Sequence, residues 1–506
     1  MPKEHFATGR GAALRALVSM APAAAALAQE ASAPGTLVLE PVEVALASGG
    51  GAAAERGVLH VPLVRAEPEG AAIEVELYRF RAKESAPKDT PPVFLLHGGP
   101  GWPGLGGDLA RRGFYEERIE PYLAIADLVV VGQRGIGSSA PDTECAGYEP
   151  FALDVDVGEE EENARLRAAC AECKAHWEEQ GYDLAGFNVL EAAADVDDAR
   201  KALGYGKITL WGVSFGSHWS MAILRRFPGT VARAVLGGME GPDHTYDMPG
   251  WVLAALERIA AVAEAAPAFA GRIPDGGLLA GFGRVIEEAE REPIEVVVDD
   301  PRTGAERAVL FTARRLRDMA LGYTRRVSSR GGVPTWPADL IALHAGDFEA
   351  AALAALGNRD GGLPTASFFM LDCGSGISAE RKAVLDADPA ARIVGALGGF
   401  YDATCPVWQS DLGEGFRENF ATEVPTLIVH GTWDTSTPFE NALELVPFFE
   451  KGHLVVVNEG SHGALAEALE ASPAFRDAVW EFLATGATED LQDEIDLPPI
   501  EWVVGR

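Results

Sequence analysis

The chain has 506 residues, more than one hydrophobic core usually organises, so two domains or one domain with a large insertion is expected. Its 47% hydrophobic and 23% charged residues describe a globular protein, and no apolar run reaches the roughly 18 residues of a membrane span. A formal net charge of −34 excludes the basic face that a nucleic-acid ligand needs and fits a solvated acidic surface.

Residues 1–28 have the make-up of a secretory signal peptide. Lys3, Arg10 and Arg15 form a basic start, residues 16–28 are apolar, and Ala26-Leu27-Ala28 offers an A-x-A cleavage site. A secreted or periplasmic location follows as an expectation. The five cysteines agree with it, because two bridges and one leftover thiol is the simplest arithmetic. Cys145 is expected to pair with Cys170 or Cys173, and Cys373 with Cys405. Cys170 and Cys173 form a C-x-x-C, but a zinc site needs a second ligand pair that His176 alone does not supply, and the surroundings are not those of a redox motif. No metal or cofactor is implied.

From residue 29 the chain begins with a loose Ala/Gly segment. Gly57 to Leu63 and Ala72 to Phe80 alternate apolar and polar residues, as antiparallel strands with one wet face do. Val93 to Leu96 is a continuous apolar run, the mark of a strand buried on both faces. It ends in His97-Gly98-Gly99-Pro100-Gly101, a glycine-rich turn whose backbone N–H groups are uncovered. No phosphate-loop spacing is present, so an oxyanion-binding turn is the better use. His97, fixed at a strand end, is read as a structural hydrogen-bonder. Leu128 to Val131 is the next buried strand and runs into Gln133-Arg134-Gly135. A charged helix covers 159–180. A second, Val189 to Leu203, has Asn188 as its cap, Glu191 at the capping-box position and Gly204 as its stop.

Ile208 to Trp211 then gives way to Gly212-Val213-Ser214-Phe215-Gly216, followed by a helical pattern that stops at Pro228-Gly229. Strand, sharp turn and helix with a serine at the apex is the context of a nucleophile elbow. A strand at Ala234 to Leu236 continues the alternation expected of a parallel sheet. From 241 to 412 the strand rhythm disappears. Trp251–Ala265, Gly277–Arg291, Ala313–Tyr323 and Pro337–Leu356 read as amphipathic helices, an inserted helical cap over the sheet's carboxyl edge. The sheet resumes at Pro425 to His430, leading to Asp434, and His453 to Val457 leads to His462. A closing helix at 473–485 precedes an acidic tail at 486–506. The expected layout is therefore a core at 29–240, a cap at 241–412 and the rest of the core at 413–506.

Ser214, Asp434 and His462 each fall just past a buried strand, so a parallel sheet brings all three to one edge. A serine hydroxyl needs a base near neutral pH, and the base needs a buried carboxylate to orient it. The order Ser…Asp…His is that of the α/β-hydrolases. With His97-Gly98-Gly99-Pro100-Gly101, Gln133-Arg134-Gly135-x-Gly137-Ser138, Gly212-x-Ser214-x-Gly216, Gly431-x-x-Asp434-x-x-x-Pro438 and Gly460-Ser461-His462-Gly463, the chain resembles the proline iminopeptidase/tripeptidyl aminopeptidase family over roughly residues 57–490. The resemblance implies an α/β-hydrolase fold, a mostly parallel sheet flanked by helices with a large inserted helical cap. It makes Ser214 the nucleophile, Asp434 the acid and His462 the base, with the amides of Phe215 and of Gly98 or Gly99 as the oxyanion hole.

In that family, acidic residues of the cap region hold the substrate's free amine, and Glu240, just after a strand, is the candidate here. Two departures count against a narrow preference for N-terminal proline. Gly132 stands where Asp is common, and Phe215 follows the nucleophile where strict proline iminopeptidases carry Trp. The expected activity is a serine exopeptidase acting on peptides through an acyl-enzyme. An esterase acting on a small-molecule substrate shares the same machinery, a silent binding protein would normally lack a triad member, and epoxide hydrolases use Asp where Ser214 stands.

Overall fold

The computed structural model describes residues 33–505 apart from 107, 111–112, 320–328, 330 and 358–361. The expected leader, residues 1–28, lies outside the described residues. Twelve strands are formed among them: β1 (Leu37–Ala45), β2 (Gly51–Pro62), β3 (Ala72–Phe80), β4 (Val93–Leu96), β5 (Leu128–Val131), β6 (Ile208–Val213), β7 (Val231–Gly237), β8 (Ile294–Asp299), β9 (Glu306–Phe311), β10 (Thr426–Gly431), β11 (Gly452–Asn458) and β12 (Glu494–Asp496). Ten of them make one sheet in the order β1-β2-β3-β5-β4-β6-β7-β10-β11-β12, and β8 and β9 form a separate pair.

The first three strands are antiparallel, β3 meets β5 antiparallel, and every pairing from β5 to β12 is parallel. This is the α/β-hydrolase arrangement. The parallel strands are the short apolar runs β4, β5, β6, β7 and β10, almost wholly buried because helices cover both faces. Their carboxyl ends share one edge. The glycine-rich turn follows β4, Ser214 follows β6, Glu240 follows β7, Asp434 follows β10 and His462 follows β11.

Several elements depart from the sequence expectation. The loose segment after residue 29 contains β1, whose pairing with β2 supplies what its Ala- and Pro-bearing sequence does not. The acidic tail adds β12 to the parallel edge through Val456 to Asn458. Pro337 to Leu356 is two helices, Trp336–His344 and Glu349–Gly357, bent by 119° where Gly346 adopts φ 83°. Of the helix expected at Ala313–Tyr323, 313–319 is helical and 320–323 lies outside the described residues.

The insertion between β7 and β10 is not purely helical either. β8 and β9 form a hairpin over Asp300 to Ala305, where Asp300 accepts from the Arg302 amide and from Thr303. The insertion also divides between two cores. Residues such as Val252, Leu256, Phe282, Val309, Trp336 and Leu340 pack among themselves. Ala366, Phe369, Met370, Leu371, Cys373 and Trp408 instead join Phe94, Leu96 and Leu210 in the core of the main sheet.

Five helices matter for the site: α1 (Glu159–Glu179), α2 (Val189–Ala202), α3 (Phe215–Arg226), α4 (Ala366–Ser375) and α5 (Gly399–Trp408). Asn188 Oδ1 caps α2 by accepting from the Leu190 and Glu191 amides at 2.9 and 3.0 Å. Glu191 does not close the capping box, because its carboxylate is drawn to Arg65 at 2.6 Å. That pair belongs to a larger network. Arg134, fully buried after β5, meets both oxygens of Asp195 at 2.7 Å and donates to the Leu63 carbonyl at 2.9 Å, while Arg65 bridges Asp195 and Asp198.

A buried guanidinium that loses its carboxylate keeps the desolvation cost without the attraction. Asp195→Ala should therefore lower the unfolding free energy by about 3–5 kcal/mol, read as a reduced urea midpoint at unchanged slope.

Candidate active site

Two glycines make the turn after β6 possible. A Cβ on Gly212 would lie 2.3 Å from the Gly216 carbonyl oxygen, and one on Gly216 would lie 2.1 Å from that of Leu96. Strand and helix therefore approach closer than any side chain permits. Between them Ser214 takes φ 59° and ψ −132°, a conformation that L residues rarely adopt. Its amide donates to the Gly237 carbonyl at 3.1 Å, and its carbonyl accepts from Ser217.

His462 and Asp434 are in direct contact. Nδ1 of His462 lies 2.9 and 3.1 Å from the two oxygens of Asp434. Asp434 is fully buried and accepts from the amides of Ser436 and Thr437 and from Thr437 Oγ1, each at 2.9 Å. Burial alone would raise its pKa, but the imidazole of His462 and these donors hold it below the ordinary carboxylate value. For His462 burial pulls down and the Asp434 charge and hydrogen bond prevail, so its pKa stands above 6.5. A Cβ on Gly238 would sit 3.0 Å from His462 Cε1. The imidazole thus borders Gly238, next to the Gly237 carbonyl that anchors Ser214. With Nδ1–H committed to the carboxylate, Nε2 is free to take a proton from a hydroxyl.

The turn after β4 lies over Ser214. A Cβ on Gly98 would lie 3.0 Å from Ser214 Cβ and 3.5 Å from its Oγ, so only glycine leaves that space open. Gln133 holds the turn from behind. Its amide nitrogen donates to the carbonyls of Gly98 and His97 at 2.9 and 3.2 Å, and its oxygen accepts from the Gly101 amide at 2.8 Å. With the carbonyls engaged by Gln133, an amide of Gly98 or Gly99 can serve the opposite side. The Phe215 amide begins α3, where helix amides have no intrahelical partner. His97 stacks on Trp102 at 3.5 Å, and burial, reinforced by the charge of Arg118, lowers its pKa to about 4.

Glu240, just past β7, is nine-tenths buried, with its amide donating to Ser217 Oγ at 2.9 Å. Burial and the negative charges of Asp372 and Asp247 raise its pKa well above the ordinary value. Asp372, on α4, accepts from Tyr401 Oη at 2.6 Å, and burial, opposed by that hydrogen bond, carries its pKa to about 7. The Asp247 charge also reaches His462 and Tyr401. Acidic side chains thus converge beside the Ser214–His462–Asp434 group. Of these only Glu240 stood out in the sequence. Asp372, Tyr401 and Asp247 lie in stretches without a motif, and Gln133 and Thr437 stood in motifs without an assigned role.

The candidate cysteines form two bridges, one of them next to Asp372. Cys145 is bonded to Cys173 and Cys373 to Cys405, while Cys170 is a buried free thiol.

A family model for the alpha/beta hydrolase fold matches residues 91–280, and a model described as TAP-like protein matches 396–494. The chain belongs to the α/β-hydrolases. This α/β-hydrolase is 25% identical over 474 residues to a tripeptidyl aminopeptidase of Streptomyces coelicolor, covering 86% of this chain and 81% of the relative. It is 28% identical over 164 residues to a proline iminopeptidase of Neisseria meningitidis, covering 32% and 37%. Serine protease Hip1 of Mycobacterium tuberculosis is 28% identical over 205 residues, covering 37% and 36%. The relatives support a hydrolase of the peptidase kind, and the two motif-bearing ends of the chain are the parts that the family models match.

A base whose pKa stands above 6.5 moves the acid limb of kcat/KM to higher pH, because the imidazole must be neutral to accept a proton. Asp434→Asn should shift that limb toward lower pH and reduce kcat by about 10³–10⁴-fold, measured as pH–rate profiles of both proteins.

Proposed function

We propose that the protein is a serine exopeptidase that removes residues from the free N-termini of peptides. Ser214 Oγ attacks the scissile carbonyl while His462 Nε2 takes its proton, and Asp434 stabilises the imidazolium. The amides of Phe215 and of Gly98 or Gly99 receive the oxyanion, each worth about 3–4 kcal/mol of barrier lowering. His462 then protonates the leaving amine. Water, deprotonated by the same imidazole, releases the acyl group from Ser214.

The observation that carries the amine specificity is the pair of buried acids, Glu240 and Asp372. The charges that act on Glu240 include those of Asp372 and Asp247, a like-charge setting that a bound cation would relieve. A protonated α-amine supplies one, whereas an ester substrate gains nothing from these carboxylates. A secreted or periplasmic setting belongs to the same proposal, supported by the leader-like first 28 residues and by two disulfides.

The test is a panel of aminoacyl and tripeptidyl chromogenic amides with free and acetylated N-termini, beside p-nitrophenyl esters. Free-amine amides should be cleaved at least about tenfold better than acetylated ones, the scale of one charge-assisted hydrogen bond. Ser214→Ala should abolish both turnover and labelling by a fluorophosphonate. Equal cleavage of free and blocked amides would leave only the general hydrolase.

The acids also set a pH dependence. Asp372 must ionise to attract an ammonium, and its pKa is about 7. KM for free-amine substrates should therefore fall as pH rises through about 7. It should rise again near pH 8, where a peptide α-amine loses its proton. Ester substrates, lacking the amine, should show neither change in KM.

A further inference from the structure

The residue one turn after the nucleophile on α3 is His218, fully buried and outside the Ser214–His462–Asp434 group. Its Nδ1 lies 2.9 Å from the Gly241 carbonyl and its Nε2 lies 2.8 Å from Ser375 Oγ. A carbonyl only accepts, so Nδ1 carries the proton and Nε2 accepts from the serine hydroxyl. Burial, opposed by the Gly241 carbonyl, lowers its pKa to about 4, so it stays neutral where His462 works. The rings of Phe215 and Phe416 pack at 5.7 and 5.8 Å and hold it in place.

Both partners of His218 adjoin an acid. Gly241 follows Glu240, and Ser375 lies three residues after Asp372 near the end of α4. Ser217, the neighbouring residue, does the same work on the backbone, its hydroxyl donating to the Ser214 carbonyl at 2.7 Å and accepting from the Glu240 amide at 2.9 Å. We propose that His218 is a positioning residue for substrate selection, locking the Glu240 loop and the Asp372 helix onto the nucleophile's own helix so that the span from Ser214 to these carboxylates is fixed.

A packed apolar ring would fill the same space. It would not spend two ring nitrogens on two segments that each carry an acid. The attack machinery, in contrast, hangs on the ends of β4, β10 and β11 and reaches Ser214 without His218. Loosening this joint should therefore move the carboxylates while leaving the hydroxyl reactive. The inference rests on the reading of Glu240 and Asp372 as the amine site.

The experiment compares wild type, His218→Phe, His218→Gln and Ser375→Ala. The probes are an aminoacyl p-nitroanilide, its N-acetyl counterpart, p-nitrophenyl acetate and fluorophosphonate labelling. His218→Phe should raise KM for the free-amine amide about 10–100-fold with kcat within about threefold, since a displacement near 1 Å suffices for such a loss. Ester turnover and labelling should stay within about threefold of wild type. His218→Gln, whose amide keeps one of the two hydrogen bonds, should recover part of the affinity. Ser375→Ala removes one hydroxyl, serves if His218→Phe does not fold, and should raise the same KM about 3–10-fold.

Parallel loss of amide, ester and labelling rates would make His218 merely structural and overturn the proposal. So would an unchanged free-amine KM in both His218→Phe and Ser375→Ala. Wild type that treats free and acetylated amides alike would instead overturn the amine reading, and the role of His218 with it. A wild-type preference that persists undiminished in the variants overturns the role of His218 alone.

Discussion

The near-contact of helix α3 with strand β4 is the constraint on which the rest of the site depends. Where Gly216 crosses the Leu96 carbonyl there is no room for a methyl group, and where Gly212 faces Gly216 there is none either. This approach forces Ser214 into its positive-φ conformation, at a cost of about 1–3 kcal/mol for a non-glycine residue. Burial of the helix offsets that cost, since Phe215 and Trp219 are wholly enclosed in the sheet's core. The same crossing sets Ser217 and His218 against the loop after β7. One tight turn thus positions both Ser214 and the side chains bonded to Gly241, Ser375 and the Glu240 amide.

The carboxylates around the site show how environment divides one chemistry into two. Asp434 and Asp372 are both fully buried. Asp434 receives two amides, one hydroxyl and an imidazole, and its pKa falls. Asp372 accepts from the Tyr401 hydroxyl, and burial, opposed by that bond, carries its pKa to about 7. The first carboxylate is satisfied by the protein and can hold a charge permanently. The second has fewer donors, so burial weighs more heavily on its charged form.

Much of the sheet's carboxyl edge was legible because tight turns need particular residues. Gly212, Gly216 and Gly98 are dictated by close approach, and a strand buried on both faces writes itself as an apolar run, as Val93–Leu96 and Thr426–Gly431 do. What lay hidden depends on the rest of the fold. Asp372 and Tyr401 belong to helices whose sequence carries no motif, and only the packing of α4 and α5 brings them together. β1 and β12 escaped notice because their strand character comes from the neighbours they pair with. Glu191 occupies a capping-box position, yet Arg65 outcompetes the helix end, since an ion pair in a partly buried site outweighs one backbone hydrogen bond.

The division of the insertion between two cores bears on how the acids are held. Asp372 and Tyr401 lie on the part that shares the core of the main sheet. The Cys373–Cys405 bond ties α4 to α5, and α5 packs on α1, where Lys174 Nζ donates to the Val407 carbonyl at 3.1 Å. Cys145–Cys173 fastens α1 in turn to the segment after β5. With sequence separations of 28 and 32, each bond removes about 3–4 kcal/mol of chain entropy from the unfolded state on the loop-closure account. Asp372 therefore stands on the stapled, sheet-bound part of the insertion, while the residues around Phe282 and Trp336 pack in a second core that also takes in Trp433, beside Asp434. The position of Asp372 is thus set by the same packing that sets the elbow, because α4 and α3 share the core of the main sheet.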